Sequence, residues 1–136
     1  YLDLVLACKD AVAAAFQLLA EEDHGIVFHC VAGKDRTGII AALLLSVLGV
    51  PDASIVADYH LTETAADQLR AWANAHDADV VAELESTPAW VLQAPATTME
   101  TFLELVRNQH GSVDQLLAHL GIRQDTTDTL CQRLLH

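Results

Sequence analysis

Basic residues are scarce in this chain. Among its 136 residues, 7 are Lys or Arg and 19 are Asp or Glu, which gives a formal net charge of −12 at pH 7. Nucleic acids and anionic membrane surfaces bind proteins through clustered positive charge, so this balance argues against both as partners. A phosphorylated substrate would have to be held by local positive charge, against repulsion from the molecule as a whole.

Cysteine pairs and long apolar runs are also lacking. Three cysteines give no even disulfide framework, and a hydrophobic content of 52% is enough for the core of a single domain. The longest stretches without charge contain glycine or proline and fall short of the roughly 20 residues that cross a bilayer, so we expect no membrane span. The first residues show no charged leader or cleavage pattern, so we expect no secretory signal. We therefore expect a cytoplasmic protein with reduced thiols, unless a secretory signal has been trimmed.

The most informative segment is residues 29–38, with the sequence HCVAGKDRTG. It places Cys30 six positions before Arg36, around a short loop that contains a glycine. A β-branched and aromatic run precedes the loop, and an apolar helix-forming run over residues 39–48 follows it. The pattern predicts a buried strand at residues 25–29, then a loop, then a helix that begins near residues 35–37.

This arrangement suits a phosphate ester. The first N–H groups of a helix lack intrahelical partners and carry partial positive charge, and the loop N–H groups before them can curl around the same anion. The Arg36 guanidinium adds a planar fork of donors that can bind two phosphate oxygens. The predicted phosphate-binding residues are Val31, Ala32, Gly33, Lys34, Asp35 and Arg36.

Cys30 lies at the floor of this predicted anion site. Positive potential that holds phosphate also stabilises a thiolate, so we expect the pKa of Cys30 to fall below the ordinary thiol value of about 8.5 and the sulfur to act as a nucleophile. The Thr37 hydroxyl is expected near the sulfur, where it would favour the thiolate and assist its departure from a phosphocysteine. His29 is expected on the other side of the strand, where its hydrogen bonds would hold the loop in shape.

The segment HCVAGKDRTG resembles the active-site loop of the protein tyrosine phosphatase superfamily, and in particular a bacterial branch of atypical tyrosine and dual-specificity phosphatases, some of which act on phosphoinositides. Residues 56–59 and the tail over residues 99–122 are also similar to that branch. The resemblance implies a phosphoric monoester hydrolase that works through a phosphocysteine and needs no cofactor. It implies phosphorylated proteins or small phosphoesters as substrates, with phosphoinositides as a further class.

The sequence offers more than one proton donor for the leaving group. Asp35 lies in the loop and is a candidate general acid, but it could equally serve only in an ion pair or a helix cap. Asp52, Asp58 or an aspartate outside this chain are the alternatives. Lys34 adds charge at the predicted rim of the pocket, and the resemblance suggests that it widens the substrate range toward lipid or multiply phosphorylated head groups.

Competing interpretations fit less well. A nucleotide-binding loop of the Walker type would need a glycine where Phe28 stands and a serine or threonine where Asp35 stands. No histidine or cysteine falls at a paired ligand spacing, so we expect no metal. A sulfurtransferase or arsenate reductase loop also holds a cysteine among amides, but the run Lys34-Asp35 followed by Thr-Gly matches phosphatases better. The remaining alternative is a phosphate-binding module or fragment that lacks the acid or the scaffold for catalysis.

The fold class predicted is α/β, similar to tyrosine phosphatases, with the strand, loop and helix of the active site set in a mostly helical chain. One strand cannot satisfy the hydrogen bonds of its own backbone groups, so we expect the other strands in an N-terminal segment outside this chain. Residues 1–136 would then be the larger, C-terminal part of one phosphatase domain and would associate with that segment. Residues 62–92 carry enough apolar side chains to form a mobile lid over the pocket, or else ordinary core. Apolar periodicity predicts helices over residues 2–21, 39–48, 53–59, 65–76, 79–85, 98–110, 113–120 and 126–135, with capping boxes that begin at Thr97 and Ser112.

Overall fold

The computed structural model of the chain describes residues 1–135, which form nine helices joined by short connections. The helices are α1 (Leu2–Ala7), α2 (Lys9–Glu21), α3 (Asp35–Val47), α4 (Asp52–His76), α5 (Ala78–Ser86), α6 (Ala89–Leu92), α7 (Ala96–His110), α8 (Val113–His119) and α9 (Gln124–Leu135). Most of these elements follow the apolar periodicity of the sequence.

The predicted strand over residues 25–29 is wrong, and with it the α/β fold class. Residues 25–30 have an irregular backbone, and no strand occurs among residues 1–135. An extended segment becomes a strand only when a neighbour pairs with its N–H and C=O groups, and no other described segment pairs with this one. Val27, expected in a buried strand, is 90% exposed. The described part of the chain is all-helical.

The hydrophobic core lies at the centre of the helical assembly. Helix α3 packs against α4 and α8, α7 packs against α4 and α8, and α9 packs against α2. Six helices each contribute a fully buried large side chain, namely Phe16, Leu43, Ile55, Phe102, Leu116 and Leu130. Burial of each such side chain stabilises the fold by about 1.5–3 kcal/mol. Because α3 carries part of this core, the loop at its N-terminus has a fixed support.

Helix α4 is longer than the sequence pattern predicts. Two helices, over residues 53–59 and 65–76, were expected, but one helix of 25 residues runs from Asp52 to His76. The intervening residues 60–64 are mostly polar, yet they contain no glycine or proline that would end a helix. Weak apolar periodicity alone does not interrupt a helix.

The two predicted capping boxes differ in outcome. The Ser112 hydroxyl accepts a hydrogen bond from the Gln115 N–H at 3.1 Å, which confirms a cap at the start of α8. Thr97 does not cap α7, because that helix already begins at Ala96 after Pro95. A proline just before a helix sets the backbone for entry without any side-chain cap.

Candidate active site

The loop that was predicted to bind phosphate leads directly into α3, which begins at Asp35. Gly33 has a φ of +62°, a value that favours glycine, and its N–H donates to the Cys30 carbonyl at 3.3 Å. No side chain caps the N-terminus of α3. The first N–H groups of this helix therefore have no side-chain acceptor, which is the condition under which a helix N-terminus binds an anion.

Cys30 is half-buried where the loop begins. Its backbone N–H donates to Thr37 Oγ1 at 2.9 Å, which brings the Thr37 hydroxyl next to the cysteine. Burial raises the pKa of the Cys30 thiol, but hydrogen bonds from the Thr37 hydroxyl and from the backbone N–H groups of Thr37, Lys34 and Gly33 outweigh it and lower the pKa to about 6. The sulfur is therefore a thiolate at neutral pH, as a nucleophile requires.

Lys34 lies away from the rim of the loop. Its side chain is buried, and Nζ donates to the carbonyls of Trp90 at 3.2 Å and Gln93 at 2.9 Å, with Asp35 Oδ1 at 3.4 Å. The ammonium thus joins the loop to α6 and to the residue that follows it. The sequence predicted this ammonium at the rim of the pocket, but the structure places it against backbone carbonyls.

Arg36 and Cys30 line one groove. This groove has a volume of about 340 Å³ and lies between α2 and the irregular residues 26–30. Arg36 is exposed, and its guanidinium makes no hydrogen bond or ion pair within residues 1–135. His29 is also exposed, with Nδ1 3.1 Å from the Cys30 carbonyl, and Val31 is 97% exposed. Cys30 and Arg36 therefore border the same open groove.

Comparison with known proteins decides which family this loop belongs to. A family model described as the tyrosine phosphatase family matches residues 1–136. The chain belongs to the tyrosine phosphatase family. This confirms the resemblance drawn from the segment HCVAGKDRTG.

Individual relatives carry the same description. A candidate tyrosine-protein phosphatase of Cupriavidus necator is 35% identical over 118 residues, which cover 86% of this chain and 42% of that protein. The tyrosine-protein phosphatase of Nostoc commune is 54% identical over 46 residues, 34% of this chain and 16% of the relative. The triple specificity protein phosphatase PtpB of Mycobacterium tuberculosis is 48% identical over 46 residues, 34% of this chain and 17% of the relative. The aligned parts thus span less than half the length of each of these relatives.

Asp35, the candidate acid of this family member, is held by neighbours that sequence reasoning missed. The Tyr1 hydroxyl donates to Asp35 Oδ1 at 2.5 Å, and the Tyr59 hydroxyl lies 2.6 Å from the Tyr1 hydroxyl. Tyr59 stands in one of the segments similar to bacterial phosphatases, but nothing in the sequence pairs it with residue 1. The contacts join residues that are 34 and 58 positions apart, so no local pattern could reveal them.

The alternative acids have other surroundings. Asp52 forms an ion pair with Arg107 at the start of α4. Asp58 is exposed on α4. Asp35 is the candidate that lies directly after the loop, at the first position of α3.

Other features bear on the class of site. No group of three or more His, Cys, Asp or Glu side chains that could hold a metal ion occurs within residues 1–135. In the same part of the chain, none of the helices combines the length and the apolar character that a bilayer crossing requires.

Proposed function

We propose that this chain carries the active site of a cysteine-dependent phosphoric monoester hydrolase, a protein-tyrosine or dual-specificity phosphatase that forms a phosphocysteine. The observation that carries the proposal is the Cys30 thiol, with its pKa lowered to about 6, in a glycine-containing loop at the N-terminus of a helix. The names of the relatives, tyrosine-protein phosphatase and triple specificity protein phosphatase, support the same class.

The reaction proceeds in two displacements. In the first, Cys30 Sγ attacks phosphorus, the bond from phosphorus to the leaving oxygen breaks, and that oxygen takes a proton from an acid. In the second, water attacks phosphorus and gives a proton back to the same acid, the phosphorus–sulfur bond breaks, and Cys30 leaves as a thiolate with inorganic phosphate as the product. The Thr37 hydroxyl stabilises that thiolate in both the free enzyme and the second step.

The remaining loop groups bind the phosphoryl oxygens. The N–H groups of Val31, Ala32, Gly33, Lys34, Asp35 and Arg36 face the equatorial oxygens, and the Arg36 guanidinium closes over two of them when substrate binds in the loop. His29 orients the backbone at Cys30 through its contact with the Cys30 carbonyl. The hydrogen bonds from the loop N–H groups and from Arg36 strengthen as negative charge shifts during phosphoryl transfer.

Asp35 is the general acid in this proposal. Both contacts to its carboxylate, from Tyr1 and from Lys34, go to Oδ1, which leaves Oδ2 as the atom that carries the transferable proton. Asp35→Asn should slow hydrolysis of phenyl phosphate, whose leaving group is poor, by about 10²–10⁴-fold. An unchanged rate with that substrate would remove Asp35 from the role of acid.

A phosphate-binding module without turnover is the second candidate function. It is favoured by the exposed Arg36 guanidinium, which has no contact that holds it over the loop among the described residues. Turnover of p-nitrophenyl phosphate that is lost in Cys30→Ser supports the phosphatase. Binding of phosphate or vanadate without any turnover supports the module.

Phosphopeptides and small phosphoesters are the proposed substrates, ahead of phosphoinositides. The net charge of −12 repels an anionic membrane, and the Lys34 ammonium is bound to carbonyls and so is not available to a lipid head group. Comparing kcat/KM for phosphotyrosine, phosphoserine, phosphothreonine and phosphoinositide substrates at fixed salt tests this order. A preference for phosphoinositides would overturn it.

We further propose that residues 1–136 form the larger, C-terminal part of one phosphatase domain and associate with another segment of it. The groove lined by Ile26, Val27 and Phe28 is apolar, and a second groove of about 300 Å³ runs beside it along α1, α2 and α3. In the complete protein, a covering segment would make amide hydrogen exchange slow at residues 26–28. Fast exchange there would contradict this association.

A lid over the pocket is the proposed role of residues 62–92. This region comprises the second half of α4 with α5 and α6, and its Trp72 and Trp90 side chains are 50% and 71% exposed. Lys34 joins the end of this region to the loop through the Trp90 carbonyl. Glu63 on α4 accepts a hydrogen bond from the Ala94 N–H at 3.0 Å, which joins α4 to the residues after α6. Movement of the loop on ligand binding would therefore reach this region.

A further inference from the structure

Two tyrosine hydroxyls form a hydrogen-bonded chain that ends on Asp35. Tyr59, on α4, lies 2.6 Å from the Tyr1 hydroxyl, and the Tyr1 hydroxyl lies 2.5 Å from Asp35 Oδ1 at the first position of α3. The direction of the chain follows from counting protons. Asp35 Oδ1 carries no proton, whether or not Oδ2 is protonated, so the single Tyr1 proton goes to Oδ1 and Tyr59 must then donate to Tyr1.

Both phenols keep their protons at neutral pH. Burial, together with the hydrogen bond to Asp35, raises the pKa of Tyr1 far above the usual range. Burial also raises the pKa of Tyr59, and the negative charges of Asp35 and Glu63 add to that effect. The two hydroxyls are therefore permanent donors.

Packing fixes where these hydroxyls lie. The Tyr1 ring stands edge-on to Tyr59, with centroids 6.2 Å apart, and edge-on to Phe102, with centroids 6.0 Å apart. The Tyr59 ring lies so close to α3 at Gly38 that a Cβ there would be 2.8 Å from Tyr59 Cδ2. A glycine at this position lets α4 bring the phenol against the helix that carries Asp35.

We propose that Tyr1 and Tyr59 are positioning residues for the acid, which hold Asp35 Oδ1 so that Oδ2 faces the leaving group with its proton. This inference rests on the proposed function, in which Asp35 is the general acid. When Oδ2 releases its proton, negative charge develops on the carboxylate, and the bond from Tyr1 strengthens at that moment. The tyrosines thus assist proton transfer without touching the substrate.

The test removes each hydroxyl and leaves the ring in place. Tyr1→Phe should lower kcat/KM for phenyl phosphate by about tenfold or more, because a hydrogen bond to a charged group is lost. For p-nitrophenyl phosphate, kcat/KM should change by less than about twofold. Tyr59→Phe should show the same selectivity with a smaller loss. Equal losses on both substrates, or no loss on either, would overturn the proposal.

A matched control and a double variant separate this inference from the proposed function. Ser46→Ala removes a hydroxyl from α3 that donates to the Ala42 carbonyl at 2.8 Å. This variant should leave kcat/KM unchanged for both substrates. If Asp35→Asn leaves phenyl phosphate hydrolysis unchanged, the acid assignment fails. If Asp35→Asn is selective and Tyr1→Phe is not, the positioning role alone fails. In the Asp35→Asn background, Tyr1→Phe should produce no further selective loss.

Discussion

At the scale of single residues, the reactivity of Cys30 depends on a balance of opposed effects. Burial raises the pKa of its thiol, whereas the Thr37 hydroxyl and the nearby backbone N–H groups lower it, and the result is a pKa of about 6. The thiolate therefore forms as pH rises through about 6 and is lost below it. Thr37 is the one side chain in this balance.

Removal of the Thr37 hydroxyl should shift the titration of Cys30 upward. Iodoacetamide reacts with the thiolate, so its rate plotted against pH reports the pKa. In Thr37→Val the midpoint should rise toward the ordinary thiol value of about 8.5. Thr129→Val is the control, because its hydroxyl donates to the Asp125 carbonyl on α9, away from the loop. An unmoved midpoint in Thr37→Val would contradict this explanation of the thiolate.

Lys34 should contribute to stability through the carbonyls that it binds. Lys34→Met keeps the apolar stem but removes the donor to Trp90 and Gln93, and we expect the free energy of unfolding to fall by about 1–3 kcal/mol. Urea denaturation measures this change. Lys9→Met, at an exposed lysine on α2, should stay within about 0.5 kcal/mol of the parent. Equal stability of the two variants would show that the Lys34 contacts do not stabilise the fold.

At the scale of elements, local pattern predicted some features well and missed others for physical reasons. The start of α3 near Asp35 followed from the loop glycine and the apolar run after it. The strand at residues 25–29 did not form, because strand pairing depends on a distant partner that no local pattern supplies. For the same reason the sequence could not reveal that Lys34 reaches residues 90 and 93, or that Tyr1 reaches Asp35.

Gly38 is where two elements, α3 and α4, meet closely. A Cβ at this position would lie 2.8 Å and 2.9 Å from two carbons of the Tyr59 ring. In a helix without such a neighbour, Gly→Ala stabilises by about 1 kcal/mol. Here we expect Gly38→Ala to destabilise by about 1–3 kcal/mol in urea denaturation, because the ring must move.

The control for Gly38 is a glycine with open space around it. A Cβ on Gly25 would meet no atom of a more distant residue within 4 Å, and Gly25→Ala should not destabilise the protein. Stabilisation by Gly38→Ala would show that Tyr59 does not pack against this glycine.

At the scale of the whole molecule, a helical core supports an open loop and a largely exposed region, residues 62–92. Lys34 connects the two, since its ammonium binds carbonyls at residues 90 and 93. The acidic net charge of −12 surrounds the proposed site, in which loop amides and one guanidinium would attract phosphate. Capture of a phosphorylated substrate should therefore improve as salt screens the long-range repulsion.

Vanadate, an oxyanion, should change tryptophan fluorescence if residues 62–92 respond to occupancy of the loop. We expect a saturable change in emission, and we expect it to persist in Trp72→Phe, because Trp90 is the tryptophan whose carbonyl binds Lys34. Inhibition by vanadate with no change in emission would contradict a coupled lid.

The central claim is that Cys30 carries the phosphoryl group during turnover. Acid quenching of the protein during hydrolysis of p-nitrophenyl phosphate, followed by mass spectrometry of its peptides, tests this claim most directly. We expect one phosphoryl group on Cys30, and neither that adduct nor turnover in Cys30→Ser. Turnover that persists in Cys30→Ser, or that proceeds without phosphorylation of Cys30, would contradict the claim.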